Sequence, residues 1–122
     1  MSLPIETRKG EQIARYLDLS ANEGKLAAAN MANIDTPGYR AVGIDFSQEM
    51  RRELQGIDRG EEFRALPSRP IDGLVSRPDG NNVSMDRESL SLAEAQLRFK
   101  TGVALWRIDQ QRISDAIHVD GK

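Results

Sequence analysis

The chain has 122 residues, of which 39% are hydrophobic and 5% aromatic; that is one domain at most, with little material for a large self-sufficient core. A formal net charge of −2 with 30% charged residues gives no electrostatic reason to expect nucleic acid or an anionic membrane as partner. Cysteine is absent, which excludes disulfides, thiolate metal sites and cysteine nucleophiles and leaves the redox compartment open. No run reaches the ~18 apolar residues of a membrane span, and the start lacks the basic-then-apolar pattern of a cleavable signal peptide. If the protein leaves the cytoplasm, another signal is expected to direct it.

From about Thr7 to Asn33 there is no proline and a single internal glycine after Gly10, while Ile13, Leu17, Ala27, Met31 and Ile34 fall near one stripe. Steps of three and four through Ser20 and Gly24 predict a long helix. Gly24 in its middle lowers helix propensity by ~1 kcal/mol against alanine, so it marks a close helix approach or a kink, or is a weak spot without a role. The helix runs into Ala28-Ala29-Asn30-Met31-Ala32-Asn33-Ile34-Asp35-Thr36-Pro37-Gly38-Tyr39-Arg40. Its alanines let another backbone come close, Asn30 and Asn33 offer hydrogen bonds that can fix register, and Pro37-Gly38 predicts a type II turn.

Between Arg40 and Asn82 the character changes, with Pro67, Pro70 and Pro78 and five scattered glycines. The one helical candidate is Asp45 to Leu54, where Phe46, Met50 and Leu54 recur every four residues, Asp45 or Ser47 can cap, and Gly56 is expected to end the helix near residue 55. The remainder, Arg59 to Asp79, fits either a short strand or two around Ile71–Val75 or a flexible segment.

Asp79-Gly80-Asn81-Asn82 reads as a turn, after which Ser84 or Asp86 can cap a second long helix from Met85 to about Ile117. Leu92, Phe99, Val103, Trp106, Ile113 and Ile117 form its stripe, broadened by Leu90, Ala93, Leu97, Ala104 and Ile108. Such a helix reaches about 50 Å, longer than a small globule is wide. The expected fold is therefore mainly α: two long terminal helices in an antiparallel coiled-coil-like pair, joined by a loop-rich insert with one short helix. We divide the chain as residues 1–41 for the first helix and its turn, 42–82 for the insert, and 83–122 for the second helix. Helix-packing positions on this reading are Ile13, Leu17 and Met31 from the first helix and Leu97, Phe99, Val103, Trp106 and Ile113 from the second. A two-helix pair leaves much of each stripe uncovered, so association with further helices is expected.

Chemistry-bearing constellations are missing from the sequence. His118, the single histidine, sits beyond the stripe with no ligand cluster nearby, and the carboxylates are interspersed with basic residues as on a solvated helix face. No glycine-rich phosphate loop is present. Arg51, Arg52, Arg59, Arg64, Arg69 and Arg77 bias the insert toward basic charge, but Asp58, Glu61, Glu62, Asp72 and Asp79 dilute it. The residues point to no enzyme activity, no metal and no cofactor.

The run Ala29-Asn30-Met31-Ala32-Asn33-Ile34-Asp35-Thr36-Pro37-Gly38-Tyr39-Arg40 resembles the N-terminal box of the bacterial flagellar axial proteins, A-N-x-A-N-x-x-T-x-G-Y-[KR], at every fixed position. Within that group, Gly43-Ile44-Asp45-Phe46 and the stretch from Gly80 to Glu88 leading into Ala95-Gln96-Leu97-Arg98-Phe99 are similar to the FlgB family of basal-body rod proteins. The resemblance covers both terminal helices and fades between about Arg59 and Arg77. It implies a structural subunit whose terminal helices pack into the rod, the drive shaft that crosses the periplasm, beside other rod and basal-body proteins and further copies of itself. Asn30, Asn33, Thr36, Pro37, Gly38 and Tyr39 are then assembly-box positions. It implies export by the flagellar type III apparatus without a cleaved signal, with Phe46 and Met50 matching the Phe-x-x-x-hydrophobic element read by the export gate; a simple packing role for the pair is equally compatible. A sibling rod subunit shares the box, and a soluble helical adaptor would meet the same need for a partner.

Overall fold

The structure, a computed structural model, describes residues 7–63 and 68–119. Pro67 and Arg64, counted above with the insert, lie outside the described residues. Helix α1 spans Arg8–Ala32, capped by the Thr7 hydroxyl, which accepts from the Gly10 N–H at 2.9 Å. Helix α3 spans Met85–His118, with the Ser84 hydroxyl accepting from the Arg87 N–H and Asp86 and Glu88 placing negative charge in the first turn, where the helix dipole favours it.

The two helices run antiparallel. Gly10 lies against Asp109, Leu17 against Gly102 and Gly24 against Ala95, and Asn30 bonds Glu88. The buried residues of α3, namely Glu88, Ala95, Gly102 and Asp109, recur every seven positions, the 3.5-residue period of a left-handed coiled coil. The seam alternates small residues in its middle, Ala95 and Gly102, with acids at its ends, Glu88 and Asp109. A Cβ on Gly102 would lie 2.6 Å from Leu17 Cδ2, whereas one on Gly24 would sit 3.6 Å from the Ala95 Cβ, an ordinary contact. Gly24 thus faces α3 within a continuous helix and leaves room for a methyl group, so it is neither a kink nor a position that only glycine fits.

The narrow seam corrects part of the expected stripe. Ile13 is buried and Leu17, Met31, Val103 and Ile113 are half-buried, but Leu97 is 67% exposed, Trp106 46% and Phe99 42%. Leu97 follows Ala95 by two positions, about 200° around the helix, so it points away from α1. Phe99 and Trp106 each follow a seam residue by four positions and so flank the seam instead of lying in it.

After α1 the chain turns at Thr36–Tyr39, where the Tyr39 N–H bonds the Thr36 carbonyl and Gly38 takes φ +74°, as a type II turn requires. Strand β1, Val42–Gly43, pairs antiparallel with β2, Arg69–Pro70, Val42 opposite Pro70. The strand position therefore precedes the expected Ile71–Val75. Only the Ile71 N–H extends the ladder, to the Ala41 carbonyl, and Gly73, at φ +79°, then bends the chain out of extended geometry.

Helix α2 spans Phe46–Asp58, with Asp45 capping the Gln48 N–H. Gly56 does not end it; it lies buried inside the last turn. The stop comes at Gly60, φ +73°, where the Glu61 N–H bonds the Gly56 carbonyl and the Gly60 N–H bonds the Ile57 carbonyl, a Schellman closure. The left-handed position, rather than the first glycine met, sets the boundary. Helix α2 docks on α1 through charge: buried Arg15 pairs with Glu53 and donates to the Glu61 carbonyl, and Arg8 pairs with Asp58. Phe46 meets the Tyr16 ring edge-on at 5.4 Å and lies 4.3 Å beneath the Arg98 guanidinium.

Candidate functional site

The boxed turn and the start of α3 form one hydrogen-bonded unit at the closed end of the helix pair. Asn30 is 1% exposed. Its Nδ2 donates to the Val42 carbonyl at 2.8 Å and to Glu88 Oε2 at 3.0 Å, while its Oδ1 accepts from the Val42 N–H and the Tyr39 hydroxyl. All four bonds open to an amide are made. The Asn30 side chain thereby pairs with Val42 as a neighbouring strand would, and it ties β1 to both long helices.

Asn33 donates back to the Ala29 carbonyl and accepts from the Thr36 hydroxyl, which ends α1 and starts the turn. Just past this helix end, Asn81 Nδ2 donates to the carbonyls of Asn33, Ile34 and Thr36 at 2.9–3.1 Å, its two hydrogens shared among the three. Asn81 is fully buried, and its Oδ1 accepts from the Val83 N–H. A residue 45 or more positions distant thus closes the turn that follows Asn33, the C-cap of α1. The Arg77 guanidinium also donates to the Ile34 carbonyl and to that of Val83. Asn82 Oδ1 accepts from the Ala41 N–H, the Gly38 N–H bonds the Asp79 carbonyl, and Gly80 packs on the Gly38 backbone. Pro37 and Gly38 are exposed at the tip.

The hydrogen bonds of Asn30, Asn33, Thr36 and Tyr39 therefore go to groups of the same chain. Sequence reasoning missed their partners: Asn81 and Asn82 read as turn residues, Arg77 as part of a diffuse basic bias, Glu88 as a first-turn acid. The available signal was the pairing of two amides at the end of one helix with two adjacent amides before the next.

A second region is apolar. Leu90, Leu97, Phe99, Leu105, Trp106, Ile108 and Ile117 of α3 are exposed. Past Asp109, which faces Gly10, α3 continues for nine residues to His118 beyond the start of α1 at Arg8. His118 is exposed there, with Nδ1 2.7 Å from the Ser114 carbonyl oxygen.

A third region is charged. Glu23 of α1 takes both carboxylate oxygens to one nitrogen of Arg98 at 2.6 and 2.7 Å. Burial raises the Glu23 pKa above its ordinary value, the positive Arg98 pulls it back, and neighbouring Glu94 raises it further. Phe46 and half-buried Met50, the export-gate candidates, share the inner face of α2 near this pair. No group of three or more His, Cys, Asp or Glu able to hold a metal ion occurs among the described residues, and no helix among them is long and apolar enough to cross a membrane.

Comparison with known proteins adds names to this geometry. No protein-family model matches the chain. It is 34% identical over 110 aligned positions to the flagellar basal body rod protein FlgB of Salmonella typhimurium, covering 73% of this chain and 78% of that protein. It is 35% identical over 102 positions to the protein of the same name from Cereibacter sphaeroides, covering 75% and 80%, and 31% identical over 102 positions to that of Borrelia hermsii, covering 68% and 76%.

Proposed function

Since the chain belongs to the FlgB family of flagellar basal-body rod proteins, we propose that it assembles through its terminal helices into the proximal rod and transmits torque across the periplasm. Its role is that of a structural rod subunit. The observation that carries the proposed mode of assembly is the outer surface of α3, where large apolar residues from Leu90 to Ile117 lie exposed. Helices that bury such surface against neighbours related by a rotation and a rise make heterologous contacts, which propagate into an open tubular array.

In this reading the box acts from inside the subunit. Asn30, Asn33, Thr36 and Tyr39 hold the closed end of the helix pair rigid, and Pro37-Gly38 gives the sharp return that aims the insert away from the rod core. The packing positions Leu97, Phe99, Trp106 and Ile113 meet neighbouring subunits, while Ile13, Leu17, Met31 and Val103 serve the pair itself. No catalytic step is assigned to any residue, and no cofactor.

The chain reaches the rod by type III export without a cleaved signal. Phe46 lies between Tyr16 and Arg98 in the folded subunit, so the Phe46–Met50 element is offered to an export gate only before folding. Deleting the chromosomal copy abolishes rod assembly and motility on this proposal, and plasmid-borne Phe46→Ala restores less exported subunit than the wild type. Normal basal bodies in the deletion strain would overturn it, as would a wholly cytoplasmic product in cells lacking the outer flagellar parts.

A further inference from the structure

A cleft of ≈ 700 Å³ opens between the α1–α3 pair on one side and the first turn of α2 with β2 on the other. Its lining carries six carboxylates against three guanidinium groups. Two of the three guanidiniums are already paired, Arg98 with Glu23 and Arg87 with Glu88, which leaves the cleft with excess negative charge. Glu49 belongs to the same lining and is 4% exposed, yet its Oε2 accepts no hydrogen bond among the described residues; half-exposed Arg52 comes only to 3.5 Å. A buried carboxylate oxygen held only by this longer ion pair, with no hydrogen bond, is stabilised by a further donor or cation.

A surface of opposite character lies on the same molecule. On α3, Leu90, Leu97, Ala104 and Gln111 each follow a seam residue by two positions and so form the side turned away from α1. Lys100 and Arg107 flank that line, both exposed, and the acids between Leu90 and Gln111, Glu94 and Asp109, fall outside it toward the cleft and the seam. Cleft and basic ridge sit on different sides of α3, so one copy cannot satisfy itself.

We propose that the acidic cleft receives the Lys100–Arg107 ridge of a second copy of this chain. The contact rests on the assembly reading above and gives it a specific site. Being head-to-tail it joins two different patches and leaves a free cleft and a free ridge at the ends, so it extends instead of closing into a dimer. Apolar Leu97, Ala104 and Ile108 would lie against the cleft rim, and the lysine and arginine would enter among Glu49, Asp72 and Glu94.

The chain has no cysteine, so in a mixture of exposed Glu94→Cys and Arg107→Cys variants the only disulfides are the two homodisulfides and the mixed pair. The expected result is a mixed pair, identified by peptide mass spectrometry, in excess over the homodisulfides that either variant gives when oxidised alone, and strongest at low ionic strength. Glu94→Lys with Asp72→Lys weakens self-association measured by sedimentation about tenfold, and Lys100→Glu with Arg107→Glu in the second copy restores it. Both double variants change exposed residues, and circular dichroism verifies that each remains folded. Absence of the crosslinked pair, or charge swaps that neither weaken nor restore association, overturns this contact. Such a result beside normal rod assembly by the charge-swapped subunits would leave the rod function standing and remove only the cleft–ridge contact; loss of the rod function itself is read separately, from the deletion strain.

Discussion

Asn30 shows what a single side chain does when every hydrogen-bonding position is used. Its amide satisfies both backbone groups of Val42 as well as Glu88 and Tyr39, so a leucine of similar volume leaves a peptide N–H, a peptide carbonyl and one oxygen of the buried Glu88 carboxylate without partners. Each such loss costs about 1–3 kcal/mol, and Asn30→Leu should lower unfolding stability in urea by about 3 kcal/mol or more. An effect below about 1 kcal/mol would mean that water or a neighbour replaces the amide. Glu23 behaves differently because it titrates. Its folded pKa is raised from 4.5, chiefly by burial, so its contribution to stability is fully present below 4.5 and is lost as pH rises through the folded value. Arg98 limits that loss. Arg98→Met keeps the apolar stem over Phe46 but removes the charge, so it should destabilise the fold by about 1–2 kcal/mol at neutral pH, the lower range reflecting the partial exposure of Arg98. Below pH 4.5 the difference should shrink toward zero. A penalty independent of pH would assign the role of Arg98 to packing on Phe46 instead.

At the scale of elements, the seam between α1 and α3 is set by what is small. Gly102 faces Leu17 with no room for a methyl group, whereas Gly24 faces Ala95 and Leu92 at ordinary contact distance. Gly102→Val should therefore force the helices apart and destabilise by about 3 kcal/mol. Gly24→Ala should stabilise by about 0.5–1 kcal/mol through helix propensity. Thermal unfolding of the two variants checks both signs, and equal destabilisation would show that the seam tolerates no side chain anywhere. Gly24 stood out in the sequence because it interrupts a helical pattern, and close approach was one of the readings open to it. Gly102 sits in an equally long pattern, and nothing local marks it as the tighter position. Helix α2 illustrates a related limit: the first glycine, Gly56, was the natural stop by propensity, but a glycine helps end a helix where the chain needs positive φ, and that place is Gly60.

For the molecule as a whole, the described residues bury six hydrophobic side chains and nine polar or charged ones, while ten large hydrophobics remain exposed. A subunit built this way is held by specific bonds at its closed end and has apolar surface to bury in an assembly. The bonds around Asn30 and Asn81 join α1, β1 and the start of α3, while α3 beyond Asp109 extends past α1. Amide exchange in a dilute, verified monomer should be slow from Glu88 to Gly102 and fast from Gln110 to His118. Association into rod-like assemblies should slow the second segment selectively. Uniform protection along α3 in the monomer would contradict this gradient.

The two long helices, the turn at Pro37-Gly38 and the kinship of the Asn30–Tyr39 box were legible in the sequence alone, because each depends on periodicity or φ within a few residues, whereas Thr7 as the cap of α1 and the choice of Ser84 over Asp86 came with the structure. Tertiary structure decided where the amides of that box point and which side of α3 is the seam. Those depend on partners far along the chain, Asn81 for the end of α1 and Glu88 for Asn30, and on the Leu17 and Tyr16 side chains that fill the space over Gly102. Hydrophobic spacing records that a face must be covered; which groups cover it within one subunit follows only from how closely the helices approach.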